Sequence, residues 1–304
     1  MIRSDNSYLT QQVHARPSMM VGLQIRAVSR NPLLWLNFVC LDAPLVAISW
    51  QWLFAHNFHL VVPLGHRIAL FLTAWLIYLA DRFGDSNSLR SSQPKSLRQQ
   101  FCLRHRNTWL GAIVCVAIVD ALAVLKAVDY GTLVPGAILG VLTILYVAIN
   151  HGHSEVWETI PLKEFAIGCL FAAGTLLGVT PHIFAERWTM ILAAILFAAV
   201  GWLNCVSIAI WERDLDRIQG RHSIATHWPH VNLAARAVLP ILLGGCALLV
   251  AFDFLLWPIA CCLGASGVLL SALCFAPVSR DERTALADLV LLTPIVLLFA
   301  ERLL

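Results

Sequence analysis

Two pairs of acidic residues, Asp81 with Asp85 and Glu212 with Asp216, stand four residues apart, each at the end of a long apolar run. On a helix that spacing puts both carboxylates on one face with Cβ atoms about 5–6 Å apart, where like charges repel. A chain carrying such a pair twice needs a compensating charge at both places. Brought together, with Asp214 between the members of the second pair, they form an oxygen-rich cage. Hard divalent cations favour such cages, and Mg²⁺ commonly fills its octahedron with one or two carboxylates, waters and substrate phosphates. The plainer explanation is pairing with Arg82, Arg213 or Arg217 at headgroup level; the duplicated spacing favours the metal.

The stretch RSSQPKSLRQQFCLRHR (90–106) carries five Lys or Arg, one His and no acid. Guanidinium forks such as those of Arg98 and Arg104 suit phosphate oxygens. A basic loop on the cytoplasmic side of a membrane also arises without any ligand.

The elements that must position these residues follow from hydropathy. Of 304 residues, 59% are hydrophobic and 13% charged, with mean hydropathy +0.75; a soluble chain carries about 25% charged residues. About 20 apolar residues cross a bilayer. Such windows recur at 33–54, 64–83, 109–127, 132–150, 162–180, 189–211, 234–252, 255–276 and 284–302. This predicts an all-α polytopic membrane protein, a bundle of about nine transmembrane helices. It forms a single domain over 1–304, with 1–32 as a cytoplasmic or interfacial N-terminal segment. The first span has two readings, because NPLLWLNFVC can lie along the interface with the crossing starting near Pro44. The boundary between the seventh and eighth is soft.

With nine spans, 17 Lys and Arg fall on the side of the N-terminus and 4 on the other, so that side is cytoplasmic. The expected location is the plasma membrane, or the inner membrane of a bacterium. The first twenty residues have no apolar core before a small-residue cleavage site, which argues against a cleaved signal peptide. Nine cysteines without a Cys-x-x-Cys pair read as buried thiols, not as a disulfide framework or zinc site.

Asp42, just before Pro44, reads as a helix cap. Asp120, inside the third span, reads as a partner for a neighbouring helix or as a functional intramembrane acid. His151, His153, His222, His227 and His230 read as loop histidines. Trp75, Trp109, Trp188, Trp211 and Trp228 read as interface anchors. A transporter would need polar residues along its path, and the fifth, seventh and eighth spans are almost bare of them.

ERDLDRIQGRHSIA (212–225) resembles the second acidic motif of the UbiA superfamily of intramembrane prenyltransferases, Asp-x-x-x-Asp-x-x-x-Gly followed by Ser-Ile/Thr-Ala. Glu212, Asp216 and Gly220 fall on its spacing, and Ser223-Ile224-Ala225 on its tail. IYLADRFGD (77–85) is similar to the first motif, and CLDAPLVAISWQWLFA (40–55) to the family's first span. The resemblance implies Mg²⁺-dependent transfer of a prenyl group from a prenyl diphosphate to a lipophilic, commonly aromatic, acceptor within the membrane. It implies Asp81, Asp85, Glu212 and Asp216 as catalytic metal ligands, with Asp214 auxiliary. Arg98, Arg104 and Lys163 are then expected at the diphosphate, Tyr146 at the cation or diphosphate, and Asn204 at the substrate. The expected partners are these substrates and membrane lipid, with neither nucleic acid nor a protein. Four departures stand out: Ile77 for the Asn of the first motif, Cys40 for an acceptor-binding Arg, Asn150 for the Lys of Tyr-x-x-x-Lys, and no Arg-Pro pair after the first motif. They leave open a divergent enzyme with an unusual acceptor, or a catalytically inactive protein of this fold that binds isoprenoids or other lipids.

Overall fold

A computed structural model describes residues 32–153, 155–159, 162–179 and 184–303, and among these every regular element is a helix. The N-terminal segment expected at the interface lies outside the described residues except for Pro32. The order is α1 (Pro32–Phe38), α2 (Asp42–Asn57), α3 (Leu64–Asn87), α4 (Leu97–Arg104), α5 (Arg106–Ala127), α6 (Tyr130–Gly152) and α7 (Val156–Thr159). It continues with α8 (Lys163–Leu176), α9 (Phe184–Gln219), α10 (Ile224–His227), α11 (Val231–Ala251), α12 (Trp257–Leu273), α13 (Arg280–Leu289) and α14 (Thr293–Leu303). Five of these, α3, α5, α6, α9 and α11, are long and apolar enough to cross a membrane.

The other four expected spans are shorter or broken. Residues 33–54 divide between α1 and α2. There the Leu41 N–H donates to Leu36 O (2.8 Å) and the Cys40 N–H to Asn37 O (3.3 Å), with Cys40 at φ 58°. This is the double bond that closes a helix through a left-handed residue. Asn37 Nδ2 donates to Asp42 Oδ2 across the break (2.6 Å), and Asp42 Oδ1 accepts from the adjacent Ala43 N–H (3.0 Å). The second of these helices, α2, starts at Asp42, two residues before Pro44. Residues 284–302 divide at 290–292, ahead of Pro294 in the first turn of α14, where proline is tolerated because its missing N–H would have no partner. α8 has 14 residues and α12 has 17. Uniform hydropathy hid the second break.

The core forms around α2, whose Trp50, Leu53 and Phe54 are fully buried. Trp50 stacks on Phe197 of α9 at 4.4 Å between centroids, and its Nε1 donates to Leu291 O (2.8 Å) at the break before α14. Ile259, Leu263 and Leu270 of α12 complete this cluster. Trp75 and Trp109, expected as interface anchors, are turned inward: their indole N–H groups donate to Val39 O (2.9 Å) and Leu79 O (3.0 Å). α8 lies close on α9 because Gly168 has no side chain. A Cβ there would stand 2.7 Å from Ala198 O and 2.9 Å from Trp202 N.

α9 has 36 residues, about 54 Å at 1.5 Å per residue, against a hydrocarbon layer of about 30 Å. Its last turns therefore have length to spare beyond the apolar stretch. Those turns carry Glu212 and Asp216.

Candidate functional site

The C-terminal ends of α3, α6 and α9 come together at one end of the bundle, joined there by α4 and by the starts of α8 and α13. On α3, Asp81 and Asp85 meet the last turn of α6. His151 Nε2 lies 3.3 Å from Asp81 Oδ1 and Nδ1 lies 3.9 Å from Asp85 Oδ1. Asn150 Nδ2 reaches Asp81 Oδ1 at 3.5 Å. His151 was expected as an exposed loop residue; it is instead helical and set against both acids.

The second charge against Asp85 comes from α9, through the way that helix ends. Gly220 has φ +68°. Its N–H donates to Arg217 O (3.2 Å), and the Arg221 N–H donates to Asp216 O (2.8 Å). This is again the paired helix stop, which favours glycine at the left-handed position. The glycine four residues beyond Asp216 thus turns the chain back and throws Arg221 toward α3. Arg221 Nη1 binds Asp85 Oδ2 at 2.9 Å, and Nη2 donates to Asp85 O at 2.5 Å. Asp216, 9% exposed, also lies within electrostatic reach of Arg221 and of Lys163 at the start of α8, and Asp85 is within reach of the same two cations. Arg221 and Lys163 therefore stand between the two acidic helix ends. The Ser-Ile-Ala tail starts α10, whose Ile224 N–H donates to Glu164 Oε1 (3.0 Å) on α8.

Glu212 has its own partner. Ser96 and Gln99 cap α4 reciprocally, Ser96 N–H to Gln99 Oε1 (2.9 Å) and Gln99 N–H to Ser96 Oγ (3.4 Å), the two-way arrangement that starts many helices. Gln219 Nε2 donates to Pro94 O (2.8 Å) and Gln99 Oε1 (3.0 Å), tying α4 to the end of α9. Arg98 is thereby placed with Nη2 2.6 Å from Glu212 Oε2, while Thr284 Oγ1 of α13 lies 3.5 Å from Glu212 Oε1. Beside them, burial pushes the Asp281 carboxyl above its ordinary range, although Arg280 and Arg98 pull it down.

The remaining expected residues divide. Tyr146 packs on Trp157 (5.8 Å) and lines a cavity. Asn204 is buried and donates to Asp288 Oδ1 (2.8 Å), so its partner is an acid of α13. Asp214 and Arg104 are exposed, outside this group of contacts. Of the arginines expected to pair with the acids, Arg82 lies within electrostatic reach of Asp42 and Asp288. Asp42 is 0% exposed and Asp288 4%, and a buried carboxylate without a nearby opposite charge is costly. Arg82→Met is thus expected to lower the melting temperature in detergent, with partial recovery when Asp288→Asn is added; an unchanged melting curve would show that this charge does not offset the two buried acids.

Beneath the charged end lies a cavity of about 390 Å³ between α2, α3, α5, α6 and α8. Ile77 and Tyr78, one turn before Asp81, and Tyr146 on α6 are among its lining residues, while His66, paired with Asp129 at 3.1 Å, lies toward the other end of α3. Most of its wall is Ala, Gly, Leu and Val. Asp120 accepts from Thr73 Oγ1 (3.0 Å), the hydrogen bond to a neighbouring helix that its position allowed.

The donor set suits Mg²⁺ best at Asp81 and Asp85. These are two hard carboxylates on one face, 36% and 28% exposed, as many as that ion usually takes from a protein. Glu212 is held by Arg98, and would share an ion only by leaving that contact. No family model, no curated protein and no solved structure matches the chain.

Proposed function

We propose that the chain is an integral membrane prenyltransferase. It would move a prenyl group from a prenyl diphosphate to a lipophilic, possibly aromatic, acceptor, with Mg²⁺ as cofactor. The observation that carries this reading is the stacking of two environments: four acids interleaved with Arg98, Arg221 and Lys163, directly above an apolar cavity. A molecule with a polyanionic head and a hydrocarbon tail matches both at once.

In this reading the chain crosses the membrane nine times, with α1–α2 and α13–α14 as broken crossings and α8 and α12 as short ones. The meeting of the ends of α3, α6 and α9 with the starts of α8 and α13 supports that alternation. The 17-to-4 distribution of Lys and Arg supports a cytoplasmic N-terminus and site.

Asp81 and Asp85, with Glu212 and Asp216 opposite, would hold the metal. When bound, Mg²⁺ supplies Lewis-acid stabilisation of a departing pyrophosphate. Arg221, Arg98 and Lys163 supply fixed positive charge to the same oxygens, which is worth most where water is scarce. Below them Tyr78 and Tyr146 line the cavity, where aromatic rings would attract an allylic cation through the ring quadrupole. The apolar wall keeps water from that carbon, so the acceptor captures it.

The test is Mg²⁺-dependent release of pyrophosphate from geranyl, farnesyl and geranylgeranyl diphosphates by the purified chain with a lipid extract as acceptor source. Turnover of at least one donor is expected; none with any acceptor extract overturns the reading. A second reading, an inactive isoprenoid-binding protein, is favoured by Asn150, which lacks the usual lysine charge and donates to Asp81. It would show as donor binding with no pyrophosphate released.

A further inference from the structure

We propose that His151 completes, with Asp81 and Asp85, a three-donor site for a first-row transition ion such as Mn²⁺, and that its nitrogen makes this site prefer such an ion to Mg²⁺. The inference rests on reading the first acidic pair as a metal site and names the ion it takes.

The donor atoms of Asp81, Asp85 and His151 lie within 4.8 Å of one another. An ion with bonds of about 2.1 Å spaces adjacent donors about 3 Å apart and opposite ones about 4.2 Å. Closing the group onto an ion therefore brings donor atoms now up to 4.8 Å apart to these spacings, a movement of up to about 2 Å that rotation of the imidazole and the carboxylates supplies. One oxygen of each carboxylate already faces the ring. Arg221 occupies Oδ2 of Asp85 and leaves Oδ1 toward the imidazole, and Asn150 and His151 both address Oδ1 of Asp81.

The ring is also held in a slot that α3 provides. A Cβ on Gly84 would stand 2.8 Å from both Cε1 and Nε2 of His151, and 3.1 Å from Cδ2. Any side chain at position 84 displaces the imidazole from between the two acids. The glycine sits between the ligands in sequence, so the space for a nitrogen donor is made by the same helical turn that carries the oxygens.

Donor chemistry then selects the ion. Carboxylates and water suit Mg²⁺ and Mn²⁺ alike, whereas imidazole favours ions later in the first row, and affinity at mixed nitrogen and oxygen sites rises from Mn²⁺ onward. With two carboxylates and one imidazole, three positions of an octahedron stay open for water or for phosphate oxygens.

The experiment uses the full chain in detergent with Mn²⁺ alone and no substrate. Binding is read by electron paramagnetic resonance, nitrogen ligation by its hyperfine coupling, and preference by competition with Mg²⁺. Wild type is expected to show nitrogen coupling and to bind Mn²⁺ more tightly than Mg²⁺, a preference that His151→Asn should lose. His151→Asn and Gly84→Ala should both lose the coupling and most of the preference, the second without changing any ligand. Should Gly84→Ala fail to fold, His151→Asn, on a half-exposed ring, decides alone. No nitrogen coupling in wild type, or coupling that survives His151→Asn, overturns the proposal. Nitrogen-ligated Mn²⁺ without consumption of any prenyl diphosphate leaves this site standing and removes the transferase reading. Turnover with Mg²⁺ and no nitrogen coupling does the reverse.

Discussion

Asp85→Asn is expected to reduce metal-dependent pyrophosphate release by about 10²–10³-fold, the usual cost of removing one group aimed at developing charge in a closed site. The change is nearly isosteric, and an amide oxygen still accepts from Arg221. What disappears is the negative charge needed to hold a divalent ion against three nearby cations. Arg221, 20% exposed, retains water and the Asp85 carbonyl as partners, so the loss of stability should stay near 1 kcal/mol. A pyrophosphate-release assay run beside a melting curve separates the two effects. Activity within threefold of wild type in a folded variant would remove Asp85 from the chemistry.

The second large effect concerns the cavity. At about 30 Å³ for each water-sized atom, 390 Å³ has room for about thirteen non-hydrogen atoms, between a ten-carbon and a fifteen-carbon chain. Gly140 lines it, and a Cβ there meets nothing within 4 Å, so the side chain of Gly140→Phe starts in open space and is expected to take up part of the cavity. The tail's alternative environment is lipid, not water, so lost burial counts for little and steric exclusion decides. Overfilling a packed space costs about 1–3 kcal/mol, about 5- to 150-fold. Use of fifteen- and twenty-carbon donors should fall by that factor, and use of a ten-carbon donor by less, measured as kcat/KM for each. An equal loss for all three lengths would show that the tail lies elsewhere.

Much of the site's plan was legible in the chain. The four-residue spacing of the acids fixed a common helical face, and their place after apolar runs fixed an end-of-helix position. Gly220 was read only as part of the motif; its effect on Arg221 needed the geometry of the helix stop, because direction after a left-handed residue is not a property of composition. His151 was illegible for a different reason: nothing along the chain relates position 151 to position 81, and the two meet only because α3 and α6 end at the same level. The break at 290–292 was hidden because hydropathy is blind to proline within an apolar run, whereas that at 39–41 was legible as an alternative start near Pro44, though not its left-handed cysteine. The cavity was equally hidden, being an absence shared by five helices.

The close crossing of α8 over α9 at Gly168 has a mechanical consequence. From Gly201, which packs against Gly168, to Asp216 is about 22 Å of unbroken rod. A tilt of about 5° about that fulcrum swings the far carboxylate by about 2 Å, a full coordination bond length. Since long helices accommodate membranes of different thickness by tilting, the width of the surrounding bilayer becomes a setting of the gap between the two acidic ends.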